Sequence, residues 1–291
     1  MTLPCLLPLI AAVLYTFAAI CTKRAIDGGA GVMRMFFITN AAAAAMLLAA
    51  LPFAPPMPPV RLFAYPALCG ALYFLAQLSL LLSIRLGEVT MQVPLLGVKV
   101  VFVAFFITLL TGRPLEPNIV LASAITAAGV FLMGFSSSEF SRKTLLTIVF
   151  AMAANASFAI SDCVIQMRMG EVGTLWFMAG VYWTTFLISL ALVPFFRAPL
   201  SAIPRGARKW TAAGAVIMCA QAFTLVAAMG IFKMAALANI IYATRGLWSI
   251  AVVWFAGRML GNNEREAGPK LMSIRLAGAS MMTAAVVIAL W

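Results

Sequence analysis

The chain has 291 residues, of which 64% are hydrophobic and 10% charged, and its mean hydropathy is +1.06. Such values lie far outside the range of a water-soluble globular domain, so soluble enzymes and soluble receptors are excluded. The formal net charge is +12 and there is no histidine, which removes the commonest metal ligand and general base.

Apolar runs of about 18 to 23 residues, each long enough to cross a hydrocarbon core of about 30 Å as a helix, recur ten times. They span 3 to 22, 33 to 54, 64 to 84, 90 to 111, 118 to 135, 144 to 166, 174 to 196, 211 to 232, 236 to 256 and 271 to 291. Helices are expected because backbone polar groups in lipid must be satisfied within the segment. The first run has no basic leader and is followed by nine more, which marks it as a spanning helix and not a cleaved signal. The connections are short. PFAPPMPPV (52 to 60) reads as a Pro-rich turn, FRAPLSAIPRGARK (196 to 209) as a basic loop and GRMLGNNEREAGPK (257 to 270) as the longest polar stretch.

Lys99 and Arg245 aside, 14 basic residues fall in or beside the odd-numbered loops, against Arg61, Arg113, Arg168 and Lys233 in the even ones. That asymmetry is what the positive-inside rule produces. It predicts cytoplasmic odd loops and both termini outside, and it assigns the positive charge to topology, with no nucleic-acid partner. Cys5, Cys21, Cys69, Cys163 and Cys219 lie in apolar runs without paired spacing, as small packing residues do. No phosphate-binding loop, hydrolase elbow or dinucleotide fingerprint is present. The sequence thus predicts no enzyme, no cofactor and no metal.

The chain also repeats itself. ALPF (50 to 53) ends the second run and LVPF (192 to 195) the seventh; LLTGR (109 to 113) ends the fourth and WFAGR (254 to 258) the ninth. The expected architecture is an all-α integral membrane protein of ten helices. Residues 1 to 140 and 141 to 291 form two five-helix repeats within one membrane domain. An odd number of helices per repeat inverts the second relative to the first, an arrangement common in transporters, whose substrate site lies near the midplane between repeats.

Lys99 and Arg245 lie inside the fourth and ninth runs, 146 positions apart, each nine residues from its run's start. A cation at that depth costs about 2.5 to 3.5 kcal/mol unless it meets water or a partner. Arginine cannot shed its proton. Asp162 is the one carboxylate within a run. It can pair with one of these cations across the helix interface, is a candidate coupling acid, or is an interfacial acid held by Arg168 or Lys23; it cannot neutralise both cations, so an anionic substrate is the expected remaining partner. Helical spacing places Tyr242, Trp248 and Ser249 beside Arg245, and Gln92, Phe102 and Phe106 beside Lys99. Asn40, Tyr182, Gln77, Gln221, Asn155 and Asn239 are further candidates for a polar cavity. Pro94, Gly97 and Gly246 are expected to loosen the helices around the cations. Small residues at Ala124 and Ala128, and at Ser280 and Ala284, are expected helix-packing faces.

LSIRLGEVTMQVPLL (82 to 96) with the later GRPL (112 to 115), and MGIFKMAALANIIYA (229 to 243) with the later GRML (257 to 260), carry a resemblance to the drug/metabolite transporter superfamily. The chain is similar in particular to its ten-helix EamA-type members, and Arg34 looks like their arginine near the start of the second helix. The turns read Gly-Arg where many members have Gly-Glu, and Tyr15-Thr16 replaces an aromatic-glycine pair. The resemblance implies alternating-access transport of a small metabolite across the cytoplasmic (inner) membrane. Partners would be the small-molecule substrate and membrane lipids, and the protein a monomer or homodimer. The basic residues make a carboxylate- or phosphate-bearing cargo the expected one, the alternative being a flippase for an anionic lipid or polyprenyl-phosphate headgroup. A membrane enzyme or a non-transporting scaffold fits the residues less well.

Overall fold

The computed structural model describes residues 3–86, 98–134, 142–248 and 268–291. They form helices α1 (Leu3–Ala25), α2 (Val32–Ala50), α3 (Ala64–Leu86), α4 (Lys99–Thr111), α5 (Pro117–Gly134), α6 (Arg142–Val172), α7 (Thr174–Ser189), α8 (Arg205–Ile231), α9 (Ala235–Ala243) and α10 (Gly268–Leu290), with no strand among the described residues. Six segments are long and apolar enough to cross a membrane: 4–30, 32–53, 60–83, 145–172, 174–195 and 205–231. The apolar helices at 99–111, 117–129 and 280–290 are shorter. Gln92, Pro94, Gly97, Ser249 and the 257–260 turn lie outside the described residues.

Polar residues are carried through these helices by local bonds. The hydroxyls of Thr16, Thr39, Thr108, Thr126, Thr211 and Thr224 each donate to the carbonyl four residues back, at 2.7 to 3.3 Å. A threonine so bonded presents its methyl outward and leaves no hydroxyl proton unsatisfied in an apolar setting.

Local geometry recurs along the chain. Gly31 opens α2 at φ 75° and ψ 138°, and Gly173 opens α7 at φ 86° and ψ 140°. Both sit in the left-handed half of backbone space, which a side chain disfavours. Each glycine carbonyl then accepts from the amide four residues on, Met35 or Phe177, at 2.9 Å. At their far ends the two helices tighten into 3-10 turns, Leu51–Phe53 and Leu190–Phe195, each followed by an extended residue. The Pro-Phe landmarks of the sequence therefore mark matching helix exits.

The chain divides into two compact units, residues 1–74 with 164–233, and residues 75–163 with 234–291. Each draws on both sides of position 140. In the first unit α1 packs along α8, and α2 against α7 and α8. Arg34 fastens two loops there: its Nη2 donates to the Gly29 carbonyl at 2.8 Å and its Nη1 to the Pro199 carbonyl at 3.1 Å. Beneath lies a small core of Ala25, Ala30, Met35, Ile203, Ala207 and Ala215.

In the second unit α5 runs along α10, and α9 packs on α4, α5 and α10. The closest approach is at Gly129, where a methyl group would stand 2.8 Å from the Gly278 carbonyl. Ala124, Ala128, Ser280 and Ala284 are exposed, not at the contact; the buried positions are Ala122, Thr126 and Gly129 on α5 and Gly278, Met282, Ala285 and Ala289 on α10. In helices this rich in alanine, small-residue spacing fits several faces, and a glycine pair decided which one packs. The five cysteines are free thiols, four of them buried.

Candidate functional site

The second unit holds the charges that the sequence singled out. Lys99 is the first residue of α4, after Val98 in a helical turn. Its Nζ lies 2.7 Å from Asp162 Oδ2 on α6, while the Phe158 ring centroid, one helical turn before Asp162, is 5.3 Å from the same nitrogen. Asn239 on α9 donates from Nδ2 to the same Oδ2 at 2.9 Å, and to the Ala235 carbonyl at 2.9 Å. Three helices thus meet at one carboxylate oxygen.

The pair is asymmetric in access. The Asp162 side chain is 0% exposed and that of Lys99 16%. A charge-assisted pair inside an apolar helix bundle is stable only while both partners stay, because removing one leaves an uncompensated charge in low dielectric. Asp162 Oδ1 is buried and has no hydrogen-bond partner among the described residues. Of the cations the sequence offers for Asp162, Lys99 holds it; Arg168 pairs with Glu171 at 2.7 Å and lies over Tyr65, and Lys23 is exposed. Arg168 is six positions on, toward the exposed end of α6, where its longer side chain reaches an exposed acid.

Arg245 stands in the same local position as Lys99. α9 ends at Ala243, Thr244 makes a turn with φ −59° and ψ −10°, and residues 245–248 are again helical. The Thr244 hydroxyl donates to the Ile241 carbonyl at 2.6 Å, and the Leu247 amide to the Thr244 carbonyl at 2.8 Å. Val98, before Lys99, has nearly the same backbone, φ −64° and ψ −18°. The Arg245 guanidinium lies 4.6 Å from the Tyr242 ring centroid, so the expected aromatic neighbour is in place. Trp248 is 37% exposed. Phe102 and Phe106 stack on each other, and the ring beside Lys99 is Phe158, which sequence reasoning missed; its place four residues before Asp162 was the available signal.

Asn155 is fully buried on α6 and Gln77 half-buried on α3, both also in the second unit. Asn40, Tyr182 and Gln221 are buried in the first unit, where Tyr182 meets the edges of Tyr73 and Phe223 at ring separations of 6.1 and 5.0 Å.

Residues 2–135 match the model of the EamA-like transporter family. The match spans the N-terminal part of the chain. The family lies within the drug/metabolite transporter superfamily, and its members are membrane transporters, not enzymes. With its apolar helices the EamA-like chain is a multi-pass membrane protein. A solved structure titled only "Crystal structure of protein" is similar over 99% of this chain and 98% of its own, with a TM-score of 0.77 at 17% identity, and so shares the fold. No curated protein matches the sequence.

Proposed function

We propose that the protein is a secondary transporter that moves a small organic anion, bearing a carboxylate or phosphate, across the cytoplasmic membrane by alternating access. Two inverted five-helix repeats, 1 to 140 and 141 to 291, supply the moving parts. Odd-numbered loops face the cytoplasm, and the unit of function is a monomer or homodimer surrounded by lipid.

The observation that carries this reading is the unequal access of the Lys99–Asp162 pair. The Asp162 side chain is fully buried and that of Lys99 is 16% exposed, so in this reading an arriving solute meets the cation before the acid. Arg245, always charged, adds a second cation from an equivalent position behind a matching helix turn. The recurrence of Gly31 at Gly173, and of the Pro-Phe exits, supports the repeat. Tyr242 and Phe158 beside the cations provide flat apolar surface for the organic part of the solute.

Purified protein in sealed proteoliposomes provides the test, with labelled pyruvate, benzoate and methyl phosphate as probe anions. Saturable uptake is expected for at least one probe, falling at least about tenfold in Lys99→Gln and Arg245→Gln, a loss of about 1.4 kcal/mol or more. Full uptake in both variants would remove the two cations from the site.

A further inference from the structure

We infer that Asp162 is a built-in stand-in for the substrate anion: the arriving anion takes Lys99 from it, and Asp162 then takes a proton at Oδ1, so that anion and proton enter the site together. This rests on the anion-transport reading above and adds the coupling ion and its atom.

The geometry argues each step. Both close contacts to Asp162, from Lys99 Nζ at 2.7 Å and Asn239 Nδ2 at 2.9 Å, fall on Oδ2. Oδ1 is buried and has no hydrogen-bond partner among the described residues, which leaves a lone pair open for a proton. Because Lys99 is the accessible member, an incoming carboxylate or phosphate competes for the ammonium without first unsealing the acid. Once Lys99 turns to the anion, Asp162 is a fully buried carboxylate that keeps the neutral Asn239 amide as a hydrogen-bond donor. An unpaired ionised carboxylate is costly to bury, and a proton bound at Oδ1 removes that cost.

Among the described residues α4 brings only Lys99 as a charge, and α9 brings the uncharged Asn239. On its own helix the neighbour Cys163 donates its thiol proton to the Val103 carbonyl at 3.8 Å. α3 meets α6 through Ser83, whose hydroxyl donates to the Thr147 carbonyl. Arg245 follows Asn239 by six residues and lies over Tyr242.

The charges balance. Before binding, Lys99 and Asp162 sum to zero; afterwards the ammonium, a monovalent anion and a neutral carboxylic acid again sum to zero. The bond that forms is Oδ1–H, the contact that breaks is the Lys99–Asp162 ion pair, and the proton comes from solvent. Transport of a monocarboxylate would then be electroneutral, driven by a pH difference and indifferent to membrane voltage.

Proton uptake by the purified protein in weakly buffered solution, measured as pyruvate or benzoate is added, tests this alongside infrared detection of the carboxylic-acid C=O stretch. One proton per bound anion and a new C=O band are expected, both absent in Asp162→Asn. Lys99→Gln is the second variant and is expected to show the band without any anion. Anion binding with no proton uptake and no band would overturn the coupling while leaving anion transport standing. If neither probe binds and methyl phosphate also fails, the anion reading itself fails and the coupling falls with it.

Discussion

Lys99 and Asp162, 63 positions apart in the chain, meet at 2.7 Å between α4 and α6, with the acid side chain fully buried and that of the lysine 16% exposed. An ion pair in such a place is a poor source of net stability, because desolvation offsets much of the Coulomb attraction. Its unequal access is better suited to exchange of partners. That distinction can be measured.

Lys99→Met leaves the Asp162 carboxyl group buried without its partner and is expected to lower stability by about 1 to 3 kcal/mol, the range for a buried polar group left unpaired. Lys99→Met with Asp162→Leu is expected to recover most of that loss. Unfolding of detergent-solubilised variants gives both values. A double variant no better than the single one would mean the pair is structurally indispensable.

Arg245→Lys keeps the charge but loses the planar group that lies over Tyr242, a contact worth about 0.5 to 2 kcal/mol. Uptake should fall severalfold in Arg245→Lys, remain near wild type in Tyr242→Phe and fall in Tyr242→Leu. Initial rates in proteoliposomes read all three.

Two glycines separate packing from propensity. A methyl group at Gly70 would strike the Val181 carbonyl and lie 2.6 Å from Thr184 Cβ, whereas at Gly170 it would meet nothing within 4 Å. Gly70→Ala is expected to destabilise by about 1 to 3 kcal/mol through overpacking. Gly170→Ala should stabilise by about 0.4 to 1 kcal/mol, since alanine favours the helix and restricts the unfolded chain. Melting temperatures of the two variants should move in opposite directions.

Arg34 joins the Gly29 and Pro199 carbonyls with a fork that lysine cannot reproduce. Arg34→Lys is expected to cost about 1 kcal/mol, discounted for its partial exposure, and to speed hydrogen exchange in residues 26–31 and 197–203. Unchanged exchange would show that the two loops hold without it.

Much of this was legible in the sequence because it follows from local rules. Apolar run lengths marked the six long helical segments, while parts of the fourth and ninth runs lie outside the described residues, and Lys99, Arg245 and Asp162 were conspicuous as charges inside the runs. The 142-residue offset of the Pro-Phe landmarks corresponds to two matching helix exits, and Gly31 and Gly173 carry the same offset. What the sequence withheld was adjacency between helices. Periodicity gives each helix a face but does not say which helix that face meets, so Asp162 was open to Lys99, Arg245, Arg168 or Lys23, and packing against α4 selects Lys99. Phe158 escaped notice for the same reason, and the Ala124 and Ala128 face was chosen over Gly129. The turn at Thr244 was hidden because its hydroxyl bond to Ile241 completes a helix end that glycine or proline would have announced.

The account turns on charge recognition, and comparing acids with their amides isolates it. Benzoate and benzamide share a skeleton, as do pyruvate and pyruvamide, and differ chiefly in charge. A ligand at one hundred times its Kd raises stability by about 2.7 kcal/mol. The account predicts that at least one acid raises the melting temperature of the wild-type protein in a concentration-dependent way, that its amide does not, and that Lys99→Gln and Arg245→Gln each weaken the shift. Equal shifts from an acid and its amide, or an undiminished shift in both variants, would contradict it.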